Sequence, residues 1–266
     1  MNTQRWMSVI TLVTPLLYSG STIANSAEQW EYNLGTAANT SSKYIGSDEA
    51  EYYLFPVFEA TYYADRDSKY YAGTVKGFGV ETKEEDISFG LGINYRYGLF
   101  GAAQDFGLSD EEPEELQGMF DPGGTVTLKP YISVDIENWK LGLELDKGIE
   151  RDNQGLTAKL SVAHQQFFSQ SFMATFGVHI TWADDEFIDD YFGVSDTEVT
   201  PTRAAYVGEA GLYHYGVMGE LVYMLSAQSV IFGTLGVNVL GDKLQESSLV
   251  KEDIQPEVTV GYTYFF

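Results

Sequence analysis

Three histidines, His164, His179 and His214, are the only side chains that ordinarily titrate near neutral pH, and none stands in a metal-binding spacing such as His-Glu-x-x-His. His179 is followed by Thr181 with neither a Ser nucleophile motif nor a carboxylate pair beside it, so a triad would have to be assembled in space. The chain has no Cys, which removes thiol chemistry and any disulfide framework. Asp184-Asp185-Glu186 with Asp189-Asp190 offers oxygen ligands for Ca²⁺ but lacks the Gly-punctuated ladder of an EF-hand, and a solvated loop is the simpler reading. Asp121-Pro122-Gly123-Gly124 reads as a turn rather than a phosphate cradle, because no helix follows it. No catalytic, cofactor or metal site is expected, and the protein is read as a non-enzyme.

The elements that carry these residues follow a period of two. Ile87, Phe89, Leu91, Ile93, Tyr95 and Tyr97 share one face, with Ser88, Gly90, Gly92, Asn94 and Arg96 on the other; the segments at 125–136, 139–146, 156–162, 172–182, 217–225 and 231–239 repeat the pattern. Weaker segments lie at 30–38, 52–63, 69–82 and 206–215, each counted as one strand. The last strand places Val258, Val260, Tyr262, Tyr264 and Phe266 on one face. The sum is about twelve, with ten to fourteen as the range, an even number as bacterial barrels require. Alternation alone leaves open a soluble sandwich with the apolar face buried or a barrel with the apolar face in lipid.

The chain's ends favour lipid. Arg5, an apolar run from Trp6 to Tyr18 and small residues to Ala27 read as an export signal over residues 1–27, cleaved between residues 24 and 27, leaving residues 28–266 as one domain. Tyr95, Tyr97, Trp139, Trp182 and Tyr262 stand at strand ends, as aromatics do at membrane interfaces. The fold class expected is all-β, a single transmembrane antiparallel barrel in the outer membrane of a Gram-negative bacterium. Tyr262, Tyr264 and Phe266 are its assembly signal, and outer-membrane lipid, lipopolysaccharide and the barrel-assembly machinery are its expected partners. The formal charge of −24, about −25 once Arg5 leaves with the signal, excludes nucleic acid as a partner. Lys129, Asp135, Glu137, Lys140, Glu144, Asp146, Lys159 and Glu220 lie opposite the apolar row and would face a wet lumen. Counting strands back from Phe266 at the periplasmic end puts the segments 99–123 and 183–205 in the periplasm, where turns are normally short. Either one strand is misread or the barrel carries two substantial periplasmic loops.

Four elements carry a resemblance. Tyr44-Ile45-Gly46-Ser47-Asp48-Glu49, Asn94-Tyr95-Arg96-Tyr97-Gly98, Tyr191-Phe192-Gly193-Val194-Ser195, and Gly241-Asp242 with Glu246-Ser247-Ser248-Leu249-Val250 resemble, in that order, motifs of the MltA-interacting protein (MipA)/OmpV family of outer-membrane proteins. Ser248 stands where that family has Pro, so the rigid turn a Pro imposes is missing. The resemblance implies an outer-membrane barrel acting as a scaffold for murein-remodelling enzymes, with a murein transglycosylase and a murein synthase as partners. It makes Tyr44, Gly46, Ser47, Asp48, Tyr191, Phe192, Gly193, Val194, Ser195, Asp242, Ser247 and Val250 the candidate interaction residues. The residues themselves support a second class, a narrow uptake channel whose cation preference is set by Asp135, Glu144, Asp146 and Glu220. Adhesion through the acidic loops is a third reading with no residue of its own.

Overall fold

In the computed structural model, which describes residues 30–101, 105, 113–150 and 155–266, twelve antiparallel strands close into one barrel. They are β1 (Trp30–Ser42), β2 (Ala50–Tyr63), β3 (Ser68–Gly73), β4 (Gly77–Glu84), β5 (Ile87–Arg96) and β6 (Thr125–Ile136). The second half comprises β7 (Trp139–Gly148), β8 (Leu156–Phe167), β9 (Phe172–Ala183), β10 (Gly211–Met224), β11 (Ser229–Leu240) and β12 (Ile254–Phe265). Each strand pairs with its sequence neighbour, and β12 returns to β1 in register from Asn33↔Phe265 to Thr40↔Val258, so the sheet has no free edge at its seam. The export segment and Asp110, Glu111 and Glu112 lie outside the described residues.

Burial decides which face is which. On β5, Ile87, Phe89, Leu91, Ile93 and Tyr95 are 38–48 % exposed while Ser88 is 3 % exposed. Thr127, Ser133, Thr175, Thr259 and Thr263 are likewise buried, and the apolar rows of β7, β9 and β12 are exposed. This inverts a soluble sandwich and suits lipid outside and a polar lumen inside. The strand ends near the termini carry an aromatic belt in which Trp30 stacks on Tyr32 and meets Tyr62 at a tilt of 49°, and Tyr264 meets Phe266 edge-on at 5.0 Å.

The number twelve agrees with the sequence reading, but two of the strands do not. The segment 69–82 is two strands: Thr74-Val75-Lys76 turns the chain, Gly73 pairs with Gly77, and Gly77 has φ +72. Residues 211–215 and 217–224, taken from two expected strands, belong to one strand, β10, whose register shifts between Leu212 and His214. That bulge breaks the two-residue phase, and Tyr206 instead bridges to Val194 in a loop. One strand too few followed by one too many preserves the total and inverts every loop assignment between them. The segments 97–124 and 184–210 therefore join 43–49, 74–76, 149–155 and 241–253 at the end away from the termini. Among the described residues the loops at the terminus end are turns of two to four residues, at 64–67, 85–86, 137–138, 168–171 and 225–228.

Candidate functional site

The lumen face of β3 to β8 is a lattice of ion pairs. Lys69 meets Glu81 at 2.9 Å and Lys76 meets Glu59 at 2.9 Å; Asp135 takes both Lys83 (2.5 Å) and Lys140 (3.3 Å). Lys129 lies between Glu144 (3.4 Å) and Asp146 (3.2 Å), Lys159 reaches Glu144 at 3.3 Å, and Arg96 holds Asp146 at 2.5 Å. Of the four acids proposed to give the lumen its sign, Asp135, Glu144 and Asp146 are thus each bound to two basic groups. Glu220, 2 % exposed, faces inward from β10 on the opposite wall. Lys129, Lys140 and Lys159, already placed opposite the apolar row by the sequence, sit on the lumen face of their strands together with Lys69, Lys83 and Arg96, while Lys76 reaches in from the turn after β3. Asp135↔Lys140 and Glu144↔Lys159 are direct cross-strand partners, a relation visible only once register is known.

Two tyrosines line the same wall. Tyr131 donates to Glu81 Oε2 at 2.6 Å, and its ring lies over Gly90, where any Cβ would overlap it. Tyr71 lies over Gly79 in the same way. Between this wall and Asn39, Thr234, Glu257 and Thr259 on the other side is a cavity of about 870 Å³. Towards the terminus end, Met173, Val222, Val230 and Phe232 form an apolar cluster with Ala37 and Val57, and Phe167, Met224 and Phe265 pack against it.

The other end is capped, and the family-like motifs build the cap. Helix α1 (Asp185–Phe192) starts at Asp184, whose Oδ1 accepts the N–H groups of Phe187 (2.8 Å) and Leu156 (2.9 Å). Phe187, Ile188, Tyr191 and Phe192 bury one face of the helix against Ala183, Leu240 and Leu244. The Tyr191 hydroxyl donates to the Tyr97 carbonyl at 2.5 Å, Ser247 Oγ to the Phe192 carbonyl at 2.7 Å, and the Tyr44 hydroxyl to the Leu249 carbonyl at 3.1 Å. Gly46, at φ +95, lies under Val250 and accepts the N–H groups of Lys251 and Glu252. Ser47 Oγ accepts the Glu49 N–H, and Val194 exchanges backbone bonds with Tyr206. Gly193 donates to the Asp189 carbonyl, where a side chain would collide. Ser248, in the place of the family's Pro, donates to the Ala204 carbonyl. Asp48, Ser195 and Asp242 alone among these candidates are exposed, and Ser195 is tied to Glu198 at 2.6 Å.

Arg96 joins cap and lumen: besides Asp146 it reaches the Gly155 carbonyl at 2.9 Å and lies over the Phe187 ring at 5.1 Å. In α1, burial, with Glu186 and Asp189 nearby, pushes the Asp190 carboxyl up to about 7. In the first loop, burial and the charges of Glu115 and Asp48 push the Tyr44 hydroxyl above its usual range. His179 bonds Asn238 at 2.8 Å and stands against His214, while His164 packs on Trp139. Among the described residues no group of three or more His, Asp or Glu side chains converges as metal ligands.

A family model described as MltA-interacting protein MipA matches residues 34–266. The outer membrane protein OmpV of Vibrio cholerae is 23 % identical over 212 residues, covering 76 % of this chain and 80 % of that one. Among solved structures, the NanC porin has a TM-score of 0.46 at 8 % identity, covering 87 % of this chain and 98 % of that one. The translocator domain of the autotransporter NalP from Neisseria meningitidis has a TM-score of 0.45 at 10 % identity, covering 90 % and 89 %.

Proposed function

The chain belongs to the MltA-interacting protein MipA family and is an outer-membrane β-barrel; from that premise we propose that it is a non-catalytic permeation barrel whose capped lumen admits small solutes. The observation that carries this is the cavity of about 870 Å³, within the usual range for ligand sites, walled by four lysines ion-paired to carboxylates and by Glu257, which takes the Asn39 amide. A wall of balanced ion pairs hydrates a polar solute without imposing a strong sign. Residues 1–27 serve as the cleaved export signal. The termini and short turns face the periplasm and the loop end faces outward, as in bacterial barrels generally. A maleimide that does not cross membranes should label a Cys placed at the exposed Asp185 in intact cells; labelling only after lysis reverses the sidedness. In planar bilayers the expected behaviour is rare, small conductance steps of weak ion preference, made frequent by loosening the cap. No steps in either form would sink the reading.

A second reading rests on the family's name, which describes a protein that interacts with MltA, a murein transglycosylase. If this barrel holds such an enzyme in the periplasm, the contact falls on the short turns, such as Asp65-Arg66-Asp67 and Glu137-Asn138. Capture of a murein transglycosylase on immobilised barrel should then survive deletion of residues 110–115 and fall when those two turns are replaced. The opposite result returns the role to the long loops.

A further inference from the structure

The wall of the barrel is incomplete on one side. On the β3 side β2 pairs only from Glu59 to Tyr63, although the strand runs from Ala50. On β5, pairing to β4 ends at Ile93, because the hairpin of β3 and β4 is too short to reach higher. Lys76 at its tip is held inward by Glu59. β2 thus leaves eight residues, Ala50 to Val57, unpaired on that side, roughly 26 Å of strand, while β5 runs three residues past Ile93 to Arg96, roughly 10 Å; where the two overlap they face each other across the place of two absent strands, a backbone gap of up to about 14 Å at normal spacing.

Both lips of this notch are finished as free edges. Phe58 accepts the Thr74 N–H at its carbonyl and donates its own N–H to Thr74 Oγ1, so both its backbone groups point to the hairpin tip; two residues back, Pro56 turns the same side to the gap and has no N–H to leave unpaired. On the other lip the Tyr95 N–H is taken by its neighbour Asn94 Oδ1 at 2.9 Å. A peptide adding a strand here would meet Pro56, which argues against a protein partner. The cavity passes through the notch: the outward-facing Leu54, Phe78 and Ile93 line it together with the lumen groups Lys69, Glu81 and Glu144. Its lining runs from apolar at the lipid face to paired charge in the interior.

We propose that the notch is a lateral mouth, and that its occupant is a single-chain amphiphile which enters from the lipid with its alkyl part against Leu54, Phe55 and Phe78 and a zwitterionic head among the ion pairs. The cavity is lined by four lysines, Lys69, Lys76, Lys129 and Lys159, and four glutamates, Glu59, Glu81, Glu144 and Glu257, which together give no net charge to favour an ionic head of either sign. This deepens the permeation reading by naming its solute class and route.

The test uses the full barrel in nanodiscs, with Trp30, Trp139 and Trp182 changed to Phe and one reporter introduced. Phe55→Trp reads the cavity, Tyr53→Trp is the second cavity reporter should the first not assemble, and Phe58→Trp reads the lipid face. A brominated undecyl phosphocholine should quench the cavity reporter saturably. A bilayer of brominated diacyl phosphatidylcholine should quench Phe58→Trp and spare the cavity reporter. Leu54→Arg with Phe78→Arg should weaken the amphiphile's quenching by about tenfold or more. A cavity reporter that the amphiphile does not quench, or quenching untouched by the two arginines, overturns the lateral mouth. Conductance steps persisting in that case leave the permeation reading standing, whereas quenching without steps supports the mouth and removes the axial path.

Discussion

If the cap is a separately stable unit seated on the barrel, Phe192→Ala should open it without unfolding the strands. Phe192 is wholly buried, closes α1, and offers its carbonyl to Ser247 Oγ at 2.7 Å. Deleting a fully buried phenyl ring costs about 3–5 kcal/mol in lost transfer energy and residual cavity, which raises an opening constant by roughly two to nearly four decades. Trypsin reads that constant at Arg203, which is 7 % exposed and fixed by bonds from Nη1 to the Glu115 carbonyl and from Nε to the Glu198 carbonyl, both 2.9 Å. Cleavage after Arg203 should rise by the same factor until it reaches the rate of an unprotected bond, because proteolysis follows the open population. The strand ladders do not pass through Phe192, so the heat-modifiable gel mobility of the barrel should not change. Ser247→Ala strands the same carbonyl at about 1–3 kcal/mol, and the double variant should fall short of the sum because both changes loosen one joint. Cleavage within about threefold of the parent, or a barrel that unfolds in step with the cap, refutes the reasoning.

Asp135→Asn leaves Lys83 and Lys140 without their shared carboxylate; Lys140 is 6 % exposed, so a loss of about 3–5 kcal/mol in urea unfolding and an anion-ward shift of the reversal potential are expected. An unchanged midpoint would show that water compensates both ammonium groups. Asp190 has its carboxyl pKa raised to about 7 from an ordinary 3.8, so the closed cap binds the proton more tightly than the opened one. Its contribution to cap stability is fully present below the ordinary carboxylate range, is lost as pH rises through that window towards 7, and is level above it. Hydrogen exchange in α1, corrected for the intrinsic pH dependence, should show this slope, and Asp190→Asn should abolish it. Phe266 donates its N–H to the Tyr32 carbonyl at 3.0 Å and packs on Tyr264, so Phe266→Ser should lower the yield of assembled barrel in cells, while unaltered yield removes these residues from assembly.

The fold class was legible because it rests on a local period of two, which Ile87 to Tyr95 display without reference to any other strand, and the outward face because the export signal and the aromatic strand ends favoured lipid; the strand number came out at twelve only because two misreadings cancelled. The topology was not legible, because it depends on two places where the period misleads. Thr74-Val75-Lys76 contains no turn pair such as Asn-Gly, and its fold-back is stabilised by Lys76 reaching Glu59, a contact across 17 positions. The bulge near Leu212 lets one strand imitate two. The motifs were found as sequence, yet their purpose was hidden. The bonds from Tyr191 to Tyr97, from Ser247 to Phe192 and from Tyr44 to Leu249 span 94, 55 and 205 positions, so only the closed barrel brings four short motifs into one cap.

The net charge of −24 takes a different meaning once the basic residues are located. Seven of the fifteen, Lys69, Lys76, Lys83, Arg96, Lys129, Lys140 and Lys159, are bound in the lumen, each to a carboxylate. A buried carboxylate in a barrel wall needs a cation or a hydrogen-bond donor: Glu59, Glu81, Asp135, Glu144 and Asp146 take cations, and Glu257 takes the Asn39 amide. The chain's surplus of acid is thereby displaced to the loops, where Asp48, Asp185, Glu186, Asp189 and Asp242 stand exposed. A field from exposed charges decays over about 8 Å at physiological salt. An acidic loop end can therefore concentrate cations at its surface without making the lumen cation-selective. Strong composition and weak selectivity are compatible here because acid in solvent and acid in the wall obey different physical limits.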